Sequence, residues 1–247
     1  MTPTSPVSAT PFDPQTRIGD LVLDQPATMR VFEALNVDYC CGGHRSLAEA
    51  CVHAGLGLPE VQAALAALAG APAADTDPGA WRDATLTALM AHLEATHHAF
   101  TRAELGRIAP LMEKVLRVHG EHHPELARID VCFRAMAADL GPHLDKEEQI
   151  LFPYVRSLEA GQPASCCFGT VANPIRAMQN EHEQVGDILR ELRILTRDYL
   201  VPEDACGSFR SLYLGLASLE ADLHLHIYLE SHLLFPRAVA MEAARVG

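Results

Sequence analysis

The chain has 247 residues, of which 13 are His and 7 are Cys, and it carries a formal net charge of −13. That length supports one full hydrophobic core and a small second one, while the charge argues against a nucleic-acid groove or an anionic membrane surface as partner. No apolar run reaches the roughly 20 residues that cross a bilayer. MTPTSPVSATPFDPQ at the N-terminus lacks the basic flank and apolar stretch of a signal peptide. A cytoplasmic protein is therefore expected. Cys40–Cys41 and Cys166–Cys167 are neighbours in sequence, with Cα atoms about 3.8 Å apart, which fits free thiols better than structural disulfides. Histidine at this density asks for a metal.

Residues 1–14, rich in Pro, Ser and Thr, read as a disordered tail. A small helical domain is expected over residues 15–72. RIGDLVLDQPATMRVFEAL supplies one or two helices, SLAEACVHAGL another, and LPEVQAALAALAG a third with Pro59 in its first turn and Gly70 as its stop. The turn DYCCGGHRS lies among them, and residues 73–80 read as a linker. From Trp81 to the end no strand alternation occurs. Four long helical patterns, at about 83–118, 125–158, 174–199 and 205–243, are joined at GEHHP, GQPASCCFGTVANP and VPEDACGS. The expected fold is all-α, with an antiparallel four-helix bundle over residues 81–247.

The inward seams carry polar residues. Leu126, Ile129, Phe133, Met136, Leu140, His143, Glu147 and Ile150 form one a/d stripe, and Leu212, Leu216, Leu219, Leu223, His226, Glu230 and Leu233 form another. Ile175, Met178, His182, Val185, Leu189 and Leu192 place His182 on a third. An unpaired ionised carboxylate in an apolar core would take up a proton instead, so these groups either form a buried His–Glu network or bind cations.

A repeat favours cations. HLDKEEQILFP (143–153) returns as HIYLESHLLFP (226–236), and both fit H-x-x-x-E-x-x-x-L-F-P. His and Glu at i, i+4 share a helix face, and two such helices surround one point. His182 precedes His226 by 44 residues, and 45 residues before His143 stands His98. Each half of the bundle thus has one His followed by one H-x-x-x-E, which suits a dinuclear centre with one half feeding each metal and the glutamates bridging. His and Glu donors with open positions suit iron, with manganese or zinc as alternatives. The seam Leu86, Met90, Leu93, Phe100 points His97 inward instead, whereas the separation argument selects His98. The Leu-Phe of each repeat is expected to pack the bundle below the site, and Pro153 and Pro236 to bend or end their helices. Pro142 should kink the turn before His143. His92, His119, His122, His123, His224 and His232 are expected at the surface or behind the ligands.

DYCCGG together with HLDKEEQILFP, QNEHEQVG and HIYLESHLLFP resembles the Repair of Iron Centres family of ScdA- and YtfE-like di-iron proteins, from about residue 16 to the end. The resemblance implies a ScdA-type helical domain followed by a hemerythrin-like bundle with a carboxylate-bridged centre of two non-haem irons. The ligands it implies are His98, His143, Glu147, His182, His226 and Glu230, and HAFTRAEL after His98 matches the family pattern there. It also implies restoration of iron–sulfur clusters damaged by nitrosative or oxidative stress.

Two routes follow: iron given up to apo or damaged iron–sulfur proteins as clients, or NO bound and reduced to nitrous oxide. Reversible NO or O2 binding or sensing is the alternative function, and a bundle without metal a third reading. A homodimer is left open. Asp139 and Glu181 are candidates to line an exit route for iron or protons. Cys40 and Cys41, in a Gly-flanked turn expected to be exposed, are the candidate mobile thiols that would visit the metal site or a partner. Cys51, Cys132 and Cys206 are expected to pack as small apolar side chains.

Overall fold

A computed structural model describes residues 12–68, 77–162 and 168–246. Gly70, residues 1–11 and 73–76, and the Cys166–Cys167 pair lie outside the described residues. The chain divides between Asp83 and Ala84 into two compact units. Among the described residues both are helical without strands, and no helix is long and apolar enough to cross a membrane.

The first unit contains α1 (Ile18–Asp24), α2 (Thr28–Ala34), α3 (Leu47–Ala54) and α4 (Leu58–Ala66). Pro26 separates α1 from α2, so the first apolar pattern makes two helices. Ser46 caps α3 with a reciprocal Ser46–Glu49 capping box, and Gly55 ends it in the left-handed conformation. Pro59 sits in the first turn of α4, where no intrahelical N–H is needed. Ile18, Val22, Phe32, Leu47, Val61 and Leu65 fill the small core.

Both expected boundaries of this unit shift. Phe12 is buried and its carbonyl accepts a 2.8 Å hydrogen bond from Gln62, so residues 12–14 belong to the folded unit rather than to a tail. Residues 78–80 of the expected linker and Trp81, expected to open the bundle, form a 3-10 turn (Pro78–Trp81) capped by Asp77, and Arg82 pairs with Asp24 at 2.5 Å.

The second unit is the bundle. Its first rod comprises α5 (Leu86–His92), a π-helical turn (Leu93–His98) and α6 (Ala99–His119). The second comprises α7 (Glu125–Lys146), a π turn (Glu147–Leu151) and α8 (Phe152–Glu159). The third is α9 (Ala172–Thr196), and the fourth comprises α10 (Gly207–Leu229), a π turn (Glu230–Leu234) and α11 (Phe235–Val246). The first rod packs chiefly on the fourth and the second on the third. Gly215 lets α10 approach α6, since an added Cβ there would run into the Arg107 guanidinium and lie 3.2 Å from the Ile108 side chain. Ile108, Met112, Ile129, Phe133, Met136, Leu189, Leu212 and Leu216 fill the axis on one side of the polar residues.

α7 runs helically through Pro142. Pro142 and Ala138, whose carbonyl loses its partner, are both on the exposed face, where water can replace the missing bond.

Glu242 of α11 ties the start of α9 to the bundle. Its carboxylate accepts from Val171 N at 2.9 Å and from the hydroxyls of Thr170 and Tyr154. Partial burial works against its charge, but these hydrogen bonds outweigh it and hold its pKa below the ordinary value. A carboxylate with a lowered folded-state pKa stabilises above its unfolded pKa, and that contribution is lost as pH falls through the folded value. We expect Glu242→Gln to cost about 1 kcal/mol near neutral pH, since the site is partly solvated. Thermal melts should show the gap between the two proteins closing below about pH 4.5.

Candidate metal centre

Three π-helical turns occur among the described bundle residues, and each begins or ends at a residue expected to bind metal: His98, Glu147 and Glu230. The N–H of Phe152 bonds to the carbonyl of Glu147, and that of Phe235 to Glu230, each five residues back. A proline cannot donate to the carbonyl four residues before it and crowds that carbonyl. One wider turn directly ahead of Pro153 and Pro236 lets the rod continue, so these prolines neither end nor break it. Inserting a π turn also rotates the following residues. Ile150, assigned to the inward stripe, is consequently 49% exposed, and Leu151 and Phe152 take the interior instead. In the first rod the same device buries His97 and His98 side by side.

The six residues His98, His143, Glu147, His182, His226 and Glu230 converge. Their donor atoms form two groups within 4.8 Å, His98–Glu147–His226–Glu230 and His143–Glu147–His182–Glu230, all buried. Each carboxylate serves both groups with a different oxygen. Glu147 Oε2 lies 3.4 Å from His98 Nε2 and its Oε1 lies 3.4 Å from His143 Nε2. Glu230 Oε1 lies 3.0 Å from His226 Nε2 and its Oε2 lies 3.2 Å from His182 Nε2. The expectation that one half of the sequence feeds each metal is overturned. Each group takes one His from each half, because the first rod packs on the fourth and the second on the third.

The two phenylalanines of the repeat do more than fill the bundle. Phe152 stacks on His98 with ring centroids 5.6 Å apart, and Phe235 stacks on His182 at 5.9 Å. Each repeat therefore supplies a Glu to both groups and an aromatic wall to the imidazole of the preceding rod.

Behind the imidazoles stand carboxylates that sequence spacing did not single out as partners. His98 Nδ1 is 2.8 Å from Glu148, itself paired with Arg102, and His143 Nδ1 is 2.7 Å from Glu181, itself paired with Lys146. A carboxylate on one ring nitrogen fixes the tautomer and presents the other nitrogen to a cation. Glu148 follows Glu147 in a helix and faces another direction, so periodicity gave no signal for its role. His97, the alternative ligand, hydrogen-bonds Asp222 at 2.9 Å and stacks beside His226 at 5.6 Å, outside both donor groups. His119 is about 20 residues of helix, roughly 30 Å, from the centre, packed on Phe209 at the start of α10. His92, His224 and His232 are half-buried and outside both donor groups.

The charge balance of the centre calls for cations. Glu147 is fully buried, and neither of its oxygens has a hydrogen-bond partner. An ionised carboxylate in that state is costly without an adjacent positive charge. Burial disfavours charge on His143, but Glu147, Glu230 and Glu181 outweigh it and hold its pKa up to about 9. Burial likewise opposes charge on His226, yet Glu230 raises it, while His98, desolvated and beside His226, is pushed down. Glu230 is held well below the carboxylate range, burial being overcome by His226 and His182. The two carboxylates thus favour positive charge beside them, which is the condition a bound cation would meet. Four imidazoles and two bridging-competent carboxylates, with no thiolate among the donors, suit divalent first-row metals such as iron.

Glu148→Gln or Glu181→Gln, which leave all six donors intact, should lower metal affinity about 10–100-fold. Competition against a chelator of known affinity checks this.

Comparison with known proteins agrees with this arrangement. Residues 89–238 match the Hemerythrin HHE cation binding domain, and residues 14–69 match the ScdA_N domain of unknown function (DUF542). Proteins named iron-sulfur cluster repair protein YtfE are similar over 91% of this chain and 97% of their own length. Those of Pectobacterium carotovorum subsp. carotovorum (strain PC1) and Yersinia pseudotuberculosis serotype IB (strain PB1/+) are 34% identical, and that of Escherichia coli O157:H7 is 33% identical. With both domains matched in order and near-complete coverage of these relatives, the chain belongs to the ScdA/YtfE family of proteins that join a ScdA-type domain to a hemerythrin-type cation-binding bundle.

Proposed function

We propose that the bundle holds two iron ions, one in each four-donor group, and that the protein restores iron–sulfur clusters damaged by nitrosative or oxidative stress. The observation that carries this reading is the pair of buried glutamates, each offering one oxygen to each of two imidazole pairs. Bound iron would supply both exchangeable metal and a site for NO or O2. The chain's own residues set its environment. Glu148 and Glu181 orient His98 and His143, and Phe152 and Phe235 wall the imidazoles from water.

A pocket reaches the centre on the His143–His182 side, lined by Asp139, Glu181, Leu140, Val185, Leu223 and Ile227 together with the imidazoles. Two carboxylates at its wall favour a leaving or arriving cation over an anion. Iron supply to damaged or apo iron–sulfur proteins thus fits this geometry, and NO removal at the same six ligands is the accompanying reading. Loaded protein should contain about two irons per chain, and Glu147→Ala or Glu230→Ala should lower iron content together with recovery of an NO-inactivated iron–sulfur enzyme. Metal-free protein that restores such an enzyme equally well would overturn the proposal.

The thiols of the first unit enter the proposal with one correction. Cys40 is buried, not exposed, and Cys41 half-buried. Asp38 accepts from Cys41 N at 2.9 Å and lies 3.3 Å from Cys40 Sγ, while Gly43 and Arg45 bond back to α1. Gly42 is required because a Cβ there would lie 2.5 Å from the Asp38 carbonyl. The glycines therefore tighten the turn instead of loosening it. Burial and the neighbouring Cys41 and Asp38 push the Cys40 thiol well above its usual pKa, the Cys41 hydrogen bond being the largest cause. We propose that this pair takes part in delivery to the client. Cys40→Ala/Cys41→Ala should retain two irons yet restore the client enzyme more slowly than the parent protein. Unchanged repair kinetics would remove the thiols from the function.

A further inference from the structure

At the start of α10, about 30 Å along that helix from His226, a second group of metal-ligating side chains gathers from two separate segments. His119 ends α6 and His123 lies in the turn beyond it, while Asp204 and Cys206 belong to the loop entering α10, with Cys206 at its N-cap. His119 Nε2 is 3.2 Å from Cys206 Sγ. His123 Nε2 is 3.1 and 3.2 Å from the two oxygens of Asp204. Both imidazoles rest on Phe209, at 5.2 and 5.0 Å between ring centroids. Cys206 is exposed, contrary to the apolar packing expected of it.

We propose that His119, His123, Asp204 and Cys206 form a second cation site, for a thiophilic divalent ion of tetrahedral preference such as zinc. Three observations support it. The donors are one thiol, two imidazoles and one carboxylate, a set that zinc accepts and that differs in class from the thiolate-free centre in the bundle. Glu125 lies 3.1 Å from His123 Nδ1, so a carboxylate already occupies the back nitrogen and turns Nε2 toward Asp204. The ring centroids of His119 and His123 are 6.3 Å apart, where two imidazoles on one zinc ion stand about 5–6 Å apart from the Zn–N length. The four donors stand as two hydrogen-bonded pairs, and no three of them lie within 4.8 Å of one another. Binding requires the two pairs to close on each other through rotation of the exposed Asp204 and Cys206 side chains. The thiol proton leaves to solvent as the thiolate–metal bond forms, and no electron transfer is involved.

Such an ion would fasten the end of α6 to the beginning of α10. Those elements belong to the two rods that carry His98 and His226, the imidazoles of one donor group. The site would then clamp the distal ends of the rods whose other ends hold the first group.

Cobalt(II) is the probe, added to iron-loaded full-length protein with Cys40→Ser and Cys41→Ser in place to remove the Asp38–Cys40–Cys41 donors. We expect one equivalent to bind with a thiolate-to-cobalt charge-transfer band in the near ultraviolet, without loss of iron. Cys206→Ser should abolish the band, and His123→Gln should weaken binding at least about tenfold while circular dichroism shows the helices intact. Zinc should compete the band away and raise the melting temperature of the parent but not of the Cys206→Ser protein. Absence of the band, its persistence in Cys206→Ser, or unchanged affinity in His123→Gln would overturn the site. None of these results depends on iron–sulfur repair.

Discussion

Two carboxylates in the dry axis of a helical bundle set the terms for everything around them. Glu147 and Glu230 are fully buried, where an isolated charge is prohibitive and a neutral acid would lose its use as a bridging donor. Four imidazoles answer them across the axis. The Nδ1 atoms of His98 and His143 are tied to carboxylates nearer the surface, Glu148 and Glu181, which are tied in turn to Arg102 and Lys146. Charge thus alternates outward from the axis on two sides, and each link lowers the cost of the one inside it. The raised His143 and His226 and the depressed Glu230 reflect the same attraction between the carboxylates and positive charge at the axis.

The backbone meets the same demand. A regular α-helix carries one narrow inward stripe, and presenting a Glu, then a Leu-Phe pair, to the interior over successive turns exceeds it. The π turns at Glu147–Leu151 and Glu230–Leu234 rotate the next segment and allow the proline of each repeat to follow without breaking the rod, while that at Leu93–His98 buries His97 and His98 side by side. α9, which contributes the single donor His182, remains regular throughout. Backbone irregularity is therefore confined to the rods whose inward faces are crowded, in keeping with the association of π turns with functional sites.

The repeat proves to be a structural unit of a different kind from a half-site. Within each half, the phenylalanine of one rod covers the imidazole of the rod before it, as Phe152 does His98 and Phe235 does His182. Across halves, the imidazoles pair as His98 with His226 and His143 with His182. The aromatic walls follow the chain order, and the donor groups follow the packing order. Two intertwined relations of this sort keep either half from forming a complete group alone.

How much of this was legible in the residues alone follows from what periodicity encodes. The stripe of apolar positions locates helices, and polar residues on that stripe betray a buried cluster, so the four rods, the convergence of six buried His and Glu side chains and the all-α class could be read from spacing and from the family resemblance. The repeated HxxxE with LFP signalled that two rods bring the same buried His and Glu pair to the axis. Spacing along one chain cannot say which helices become neighbours, so the grouping of donors waited on the packing of the first rod against the fourth. Nor can it report a one-residue change of helical register, which put Ile150 outside and His97 beside His98. The outward partners Glu148 and Glu181, the closed turn around Cys40, and the meeting of His119 with Cys206 are contacts between residues remote in sequence or off the apolar stripe. Sequence fixes which faces must be buried, because hydrophobic periodicity is local; tertiary structure alone decides which polar groups then meet, because hydrogen bonds and metal donors act across the chain at a few ångströms.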